Sequence, residues 1–347
     1  MLAGRLEIST RKLTVREVPV PEPGPGQVRV RVRAAGVCLS DVHLIDGSLS
    51  PLFLEGDEVT LGHEVAGEID LLGPAVPAPW QVGDRVVLQA GEHCGRCANC
   101  VRFRQPCLAV RTRGVDYDGG WAEYALASHH TLVAIPDELP FEQAAIVPDA
   151  VSTPWGAVTG AGKAAAPGRP AGVWGVGGLG AHAVQLLRLV GAVPIVAVDP
   201  LPAARERALE FGADVALDPA AADLRDQVLA LTGGAGLDVA YDMAGVGAVR
   251  EQAARCLGLG GRLVLVGLTP EPLALKNSIA LSFRGQQIIG SYGSGPGAVE
   301  QLIELTRFGR LDLHRSVSAT MPLAEAADAV ARLAGKTDAP IRIILVP

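Results

Sequence analysis

Residues Val173–Asp199 read VWGVGGLGAHAVQLLRLVGAVPIVAVD, and this run sets the architecture of half the chain. It opens on a short apolar stretch with the character of a buried strand, and Gly175, Gly177 and Gly180 follow in G-x-G-x-x-G spacing. Leu179, Ala183, Leu186, Leu187 and Val190 then share one helical face, and a second apolar run, Val193–Val198, ends at Asp199. Each part has its own physical reason. The first glycine permits a tight strand-to-helix turn, the second lets the backbone approach a pyrophosphate, and the third lets the helix lie close to the sheet. The helix N-terminus presents amide groups to phosphate charge. A carboxylate nineteen residues past the last glycine accepts from ribose hydroxyls and repels a 2′-phosphate, which favours NAD over NADP. Pro200 and Leu201 stand where a phosphate binder would place a base; Arg205 and Arg207 further along either soften that preference or, the reading preferred, are solvated helix residues.

Around this run the pattern repeats. Strand-like segments Val173–Val176, Pro194–Val198, Val215–Leu217, Leu237–Tyr241, Arg262–Val266 and Gln287–Ile289 alternate with helices beginning near Leu179, Ala203, Ala222 and Ala248. That rhythm predicts a six-stranded, doubly wound parallel α/β sheet. Upstream, from Leu6 to about Ile135, the chain is β-rich. Gln27–Val37 alternates as VRVRVRA with Val28, Val30 and Val32 facing inward, and Leu13–Val18, Val65–Leu72 and Asp84–Leu88 add further strands. Helices near Ala298–Phe308 and Leu323–Leu333 and a strand Ile341–Val346 close the chain and are expected to return to the β-rich half. The expected division is residues 1–150 with 291–347, and residues 151–290 for the nucleotide domain, with ligand in the cleft between them.

At 347 residues the chain has room for two cores, and its formal net charge of −7 offers nucleic acid no electrostatic attraction. Arg5, Glu7, Arg11 and Lys12 interrupt the N-terminus, so no signal-peptide core is present, and no apolar run is long enough to span a bilayer. The expectation is a cytoplasmic protein with no membrane partner.

Four of the six cysteines, Cys94, Cys97, Cys100 and Cys107, stand as C-x2-C-x2-C-x6-C within a lobe of about residues 91–113. Two C-x2-C steps bring thiolates round one point and a short loop supplies the fourth, a sulfur shell suited to a closed structural zinc site. An iron–sulfur cluster is the rival occupant. Arg96, Arg102, Arg104, Arg111 and Arg113 are placed in sequence to offset the negative thiolate charge. Cys38 in GVCLSDVH and His63 with Glu64 in LGHEVAG are individually unremarkable.

Together these residues resemble the zinc-dependent alcohol dehydrogenases of the medium-chain dehydrogenase/reductase superfamily. The resemblance spans nearly the whole chain and is carried by Gly36–His43, GHEVAG (Gly62–Gly67), GDRV (Gly83–Val86), the four-cysteine lobe, DGGWAEY (Asp118–Tyr124) and GVGGLG (Gly175–Gly180). It implies a GroES-like catalytic domain beside the Rossmann domain. It also implies two zinc ions per chain, NAD(H), and a homodimer or homotetramer. Cys38 and His63 become catalytic zinc ligands, and Asp149 in AAIVPDAVSTPWGAV occupies the position of a third ligand that is often cysteine. Glu64 becomes an occasional fourth ligand or a supporting carboxylate. Cysteinate, imidazole and carboxylate neutralise Zn²⁺, and oxygen in place of sulfur makes the metal more electrophilic.

The implied chemistry is hydride transfer between a primary or secondary alcohol and NAD, with Ser40 passing the proton through the ribose hydroxyls to His43. Asp41 orients the ligand loop. Gly175, Gly177, Gly178, Leu179, Gly180 and Asp199 bind the cofactor, and Arg342 reaches its pyrophosphate from the C-terminal strand. Trp155, Leu52, Phe53 and Ala90 are candidate pocket walls. Two alternatives stand beside this reading: a polyol or amino-alcohol (threonine-type) dehydrogenase, and a zinc-stabilised nucleotide-binding sensor without turnover.

Overall fold

The structure, a computed structural model, describes residues 1–103, 107–161, 165–274 and 278–347. It contains two compact units, Met1–Ala150 with Val299–Pro347, and Val151–Ala298.

The first unit is organised on strand Gln27–Val37. Val28, Val30 and Val32 are buried along one face, while Arg29 and Arg33 on the other pair with Asp70 at 2.7 Å and Glu68 at 2.6 Å. Period-two alternation therefore separates core from charge along the strand. It pairs antiparallel with Val65–Leu72, with Tyr124–Ser128 and, at its end, with Arg342–Val346. The sheet continues through Arg85–Leu88 and Leu132–Ala134 on one side and Val317–Pro322 on the other. Val28, Val30, Ile69, Leu88, Trp121, Leu333 and Ile343 meet in its core. Burial of each aliphatic side chain there contributes about 1.5–3 kcal/mol relative to exposure.

A helix at Leu39–Asp46 follows this strand directly, an element that the β-rich pattern did not announce. Cys38 occupies its N-cap, and Asp41 Oδ2 accepts the Cys38 N–H at 2.8 Å. An acid in the first turn thus satisfies an amide that the helix itself leaves open. Gly47 ends the helix in the left-handed conformation, φ 86°.

The second unit is a six-stranded sheet in the order Val215–Leu217, Ile195–Val198, Ala171–Trp174, Leu237–Asp242, Leu257–Leu265, Gln287–Gly290, parallel throughout. The first strand in sequence lies in the middle and the order reverses there, the doubly wound arrangement. Ala171–Trp174 and Ile195–Val198 are buried at every position, as strands covered on both faces must be. Leu257–Leu265 begins five residues ahead of the predicted Arg262 because its first half, LGLGG, is glycine-rich and carries the signature of a turn. Among the described residues no helix is long and apolar enough to cross a membrane.

Candidate active site

Cys38, His63, Glu64 and Asp149 come from distant segments of the first unit, and each offers one donor atom within 4.8 Å of the others. Cys38 caps the helix after the central strand. His63 and Glu64 precede strand Val65–Leu72, and Asp149 sits in the π-helical turn Val147–Val151. Asp149 Oδ2 lies 3.3 Å from Cys38 Sγ and 3.5 Å from His63 Nε2. Tetrahedral zinc with bonds of roughly 2.0–2.3 Å holds its donors about 3.4–3.8 Å apart, so the three atoms fit one divalent ion. Ser40 Oγ donates to Cys38 Sγ at 3.1 Å and lies 3.5 Å from His63 Nε2, at the edge of this set. Asp41 Oδ1 lies 3.6 Å from His63 Nδ1, which turns Nε2 toward the other donors.

The charges also call for a cation. Cys38, Glu64 and Asp149 face the Arg342 guanidinium, with Asp41 beside His63, and all but Asp149 are nearly sealed from solvent. Burial pushes the Cys38 thiol up, against the pull of Arg342. It also pushes the Glu64 carboxyl up to about 7, again opposed by Arg342. For His63 burial acts downward, but Asp41, Asp149 and Cys38 together outweigh it and hold the imidazole well above its ordinary value. A dication would relieve each of these conflicts by favouring thiolate, carboxylate and neutral imidazole together.

Arg342, which the resemblance carries to the cofactor pyrophosphate, lies beside the donor set. It is 2 % exposed, and its Nε donates to both Glu64 oxygens, at 3.0 and 3.2 Å. One terminal nitrogen approaches Asp149 Oδ2 at 3.4 Å and Cys38 Sγ at 3.5 Å. With Glu64 the guanidinium forms an ion pair beside the donor set. Glu64 Oε1 also accepts the Ala150 N–H at 3.0 Å, tying the aspartate's turn to the histidine's segment. Space for Glu64 is made by Gly36, where a Cβ would fall 1.9 Å from Glu64 Oε2.

In the cysteine lobe, Sγ–Sγ separations are 3.5 Å for Cys97–Cys100, 3.5 Å for Cys94–Cys107 and 4.0 Å for Cys97–Cys107. All four thiols are free of disulfides. Four sulfurs about 2.3 Å from one zinc are spaced in this range. Backbone amides of Leu108 and Cys100 lower the Cys97 thiol to about 6, and amides of Arg96 and Cys97 lower Cys94, whereas burial lifts Cys100 to about 12. Arg113, expected to offset thiolate charge, instead lies fully buried, donating to the Leu126 carbonyl and covering the Tyr117 ring. Arg111 lies over the same ring, 5.4 Å from its centroid. Arg104 lies outside the described residues.

In the second unit, Gly175 takes φ 90°, and a Cβ on Gly180 would fall 1.7 Å from the Gly175 carbonyl oxygen. A Cβ on Gly177 would meet nothing within 4 Å, so the backbone there is open to an approaching group. Gly178 and Leu179 begin the helix Gly178–Leu189 with Gly177 as its N-cap. Asp199 is buried, with one oxygen accepting the Val176 N–H at 2.7 Å and the other the Leu201 N–H at 2.9 Å. The carboxylate thus fastens the glycine turn to the end of the second strand. This arrangement fits a dinucleotide: open amides at a helix N-terminus, with an acid at the ribose position.

Comparison with known proteins agrees with both halves. The family model for the alcohol dehydrogenase GroES-like domain matches residues 24–137, and that for zinc-binding dehydrogenase matches residues 178–307. An NAD-dependent alcohol dehydrogenase of Sulfurisphaera tokodaii is 31 % identical over 340 residues, 96 % of each chain. The chain belongs to the zinc-dependent alcohol dehydrogenases. The L-threonine 3-dehydrogenase of Thermococcus kodakarensis is 31 % identical over 264 residues, 75 % of this chain and 73 % of that one. A Sinorhizobium meliloti structure bound to NADP superposes with TM-score 0.89 at 30 % identity, covering 100 % of this chain and 99 % of that one.

For an alcohol dehydrogenase of this family, several side chains stand where sequence reasoning did not put them. Arg205 and Arg207 are half-buried and bound to neighbouring backbone rather than free on a solvated face. Arg205 donates to the Asp199 and Pro200 carbonyls at 2.7 and 2.9 Å and pairs with Asp218 at 3.1 Å, while Arg207 donates to the Val176 carbonyl in the glycine turn. Leu52 and Phe53 are 83 % and 39 % exposed in the chain, their amides held by Asp116 Oδ1. Ala90 and Trp155 are half-buried. His43 is half-buried, on the same helix as Ser40 and three residues on, which places the two side chains on one face.

Proposed function

We propose that the protein interconverts a primary or secondary alcohol and its aldehyde or ketone, with NAD as the favoured hydride carrier. The convergence of Cys38, His63 and Asp149, at 3.3–3.5 Å from Asp149 Oδ2, carries this reading. In it those three residues hold the catalytic zinc, with Glu64 beneath them, and Cys94, Cys97, Cys100 and Cys107 hold a structural zinc. When bound, the metal supplies Lewis acidity toward an alcohol hydroxyl, and the nicotinamide supplies the hydride acceptor. Ser40 Oγ, beside Cys38 Sγ, takes the hydroxyl proton as it releases its own, and the imidazole of His43, on the same face of the helix, takes up the released proton and passes it to water. Asp41 Oδ1, 3.6 Å from His63 Nδ1, favours a proton on that nitrogen by its charge and leaves Nε2 for the metal. Arg342 restrains Glu64, Asp149 and Cys38 against their mutual repulsion.

Asp199 supports NAD, since its buried carboxylate stands where a 2′-phosphate would add a second negative charge. The similarity to a threonine dehydrogenase keeps a polyol or amino alcohol as the second reading. We also place the enzyme in the cytoplasm as a homodimer or homotetramer. Among the described residues, strand Gln287–Gly290 ends its sheet without an outer neighbour, and Ile279 and Phe283 nearby are 80 % and 86 % exposed.

A screen of simple alcohols, polyols and L-threonine with NAD and NADP, on protein of known metal content, tests the reading. The expected result is the highest kcat/KM with a simple primary or secondary alcohol and NAD. A maximum with a polyol or threonine would move the substrate to the second reading, and a clear preference for NADP would defeat the role given to Asp199.

A further inference from the structure

The segment DGGWAEY (Asp118–Tyr124) supplies none of the clustered donor atoms, yet the structure lays it along two of the donor segments. Gly119, Gly120 and Trp121 donate their amides to the carbonyls of Thr60, Gly62 and Leu61 at 2.7, 2.8 and 2.9 Å. The chain leading into His63 is thereby held by three backbone bonds. Trp121 is fully buried, and one edge of its indole meets two segments at once. A Cβ on Gly62, the residue before His63, would fall 2.2 Å from Trp121 Cδ1 and 2.7 Å from Nε1. The Nε1–H itself donates at 3.0 Å to the buried carbonyl of Gly36, two residues before Cys38. Gly36 in turn donates its N–H to the Glu64 carbonyl at 2.8 Å.

We propose that Trp121 is a positioning residue for the catalytic metal, its indole edge fixing the separation between the strand end that carries Cys38 and the turn that carries His63. The inference rests on the reading of Cys38, His63 and Asp149 as zinc ligands. Donors from separate segments hold one ion well only when each sits within about 0.2 Å of its ideal distance. The ring sets the gap between the two segments, and the Nε1–H pins the strand end against it. Removing that N–H deprives the buried Gly36 carbonyl of a donor, so the strand end beside Cys38 shifts to recover one. Supporting contacts of this kind are worth roughly 10–100-fold in metal affinity. A role in core packing alone would lower the stability of the unit and leave the folded protein's hold on zinc unchanged.

Trp121→Phe separates the two roles, since it keeps a ring over Gly62 and removes the donor. Folded, zinc-loaded full-length protein is titrated with the chelator dipicolinate, and the zinc still bound is measured. The chelator concentration that strips half of the first zinc is expected to fall about tenfold in Trp121→Phe, while the zinc of the cysteine lobe stays. With cobalt(II) in place of the first zinc, the thiolate-to-metal absorption band is expected to shift in the variant. Val28→Ala, in the same core and at the opposite end of the same strand, loses packing only and is expected to resist the chelator as wild type does. Unchanged zinc retention in Trp121→Phe, or an equal loss in Val28→Ala, would overturn the proposal and leave Trp121 as core packing. A wild-type chain that binds zinc at the cysteine lobe alone would overturn the ligand reading itself, and this inference with it.

Discussion

Replacing Cys38 by alanine is expected to remove one of two bound zinc ions and to lower turnover by about a thousandfold or more, with NADH binding retained. The size follows from what is lost: Lewis-acid stabilisation worth several kcal/mol, at 1.36 kcal/mol for each factor of ten. The geometry argues against rescue by neighbours. Asp149 Oδ2 and His63 Nε2 lie 3.5 Å apart, but the pair without sulfur leaves a two-donor site beside a competing guanidinium. Arg342, freed of the thiolate at 3.5 Å, still pairs with Asp149 at 3.4 Å and opposes a cation there. Metal analysis beside steady-state kinetics and NADH titration reads all three quantities. Near-normal turnover, or two zinc ions retained, would show that Cys38 is not a ligand.

Arg342→Met is expected to destabilise the first unit by about 3–5 kcal/mol, because it strands a buried carboxylate rather than merely deleting a contact. Glu64 is fully buried, and the guanidinium 3.0 Å away is the positive side chain paired with it. The double variant Glu64→Gln/Arg342→Met removes both charges and is expected to lose distinctly less. The pH dependence follows from the same pair. Burial holds the Glu64 carboxyl at about 7 with Arg342 present, against an ordinary 4.5. Without the guanidinium it rises further, so the folded variant binds a proton that the unfolded chain releases above its ordinary value. The folded state then holds more protons, and the variant gains stability as pH falls from 7 toward 4.5. Denaturant unfolding of both variants at several pH values checks this. Equal losses in single and double variants would mean that the two residues are not coupled.

Local patterns in the sequence were enough for the elements that carry their own periodicity. Strand Gln27–Val37 emerges with its predicted ends because alternate valines face one core, and the parallel order of the second unit follows from its strand–helix rhythm. The cysteine lobe was legible because its ligands lie within fourteen residues. The donor set of Cys38, His63 and Asp149 was not readable from spacing; only the family resemblance joined residues 111 positions apart. Arg342 shows the limit most clearly. Its partner Glu64 is 278 residues away, and the side of the strand end it faces depends on how Arg342–Val346 docks against Gln27–Val37. Arg205 and Arg207 failed for a related reason. A charged residue on a short helix defaults to solvent unless the neighbouring turn offers carbonyls, and a sequence does not display that offer.

The most direct test is an anomalous difference map at the zinc absorption edge from crystals of the purified protein. Two peaks per chain are expected: one inside the tetrad of Cys94, Cys97, Cys100 and Cys107, and one about 2.0–2.3 Å from Cys38 Sγ, His63 Nε2 and an Asp149 carboxylate oxygen. A fully metallated preparation with a peak at the tetrad alone, and none shared by Cys38, His63 and Asp149, would contradict the account.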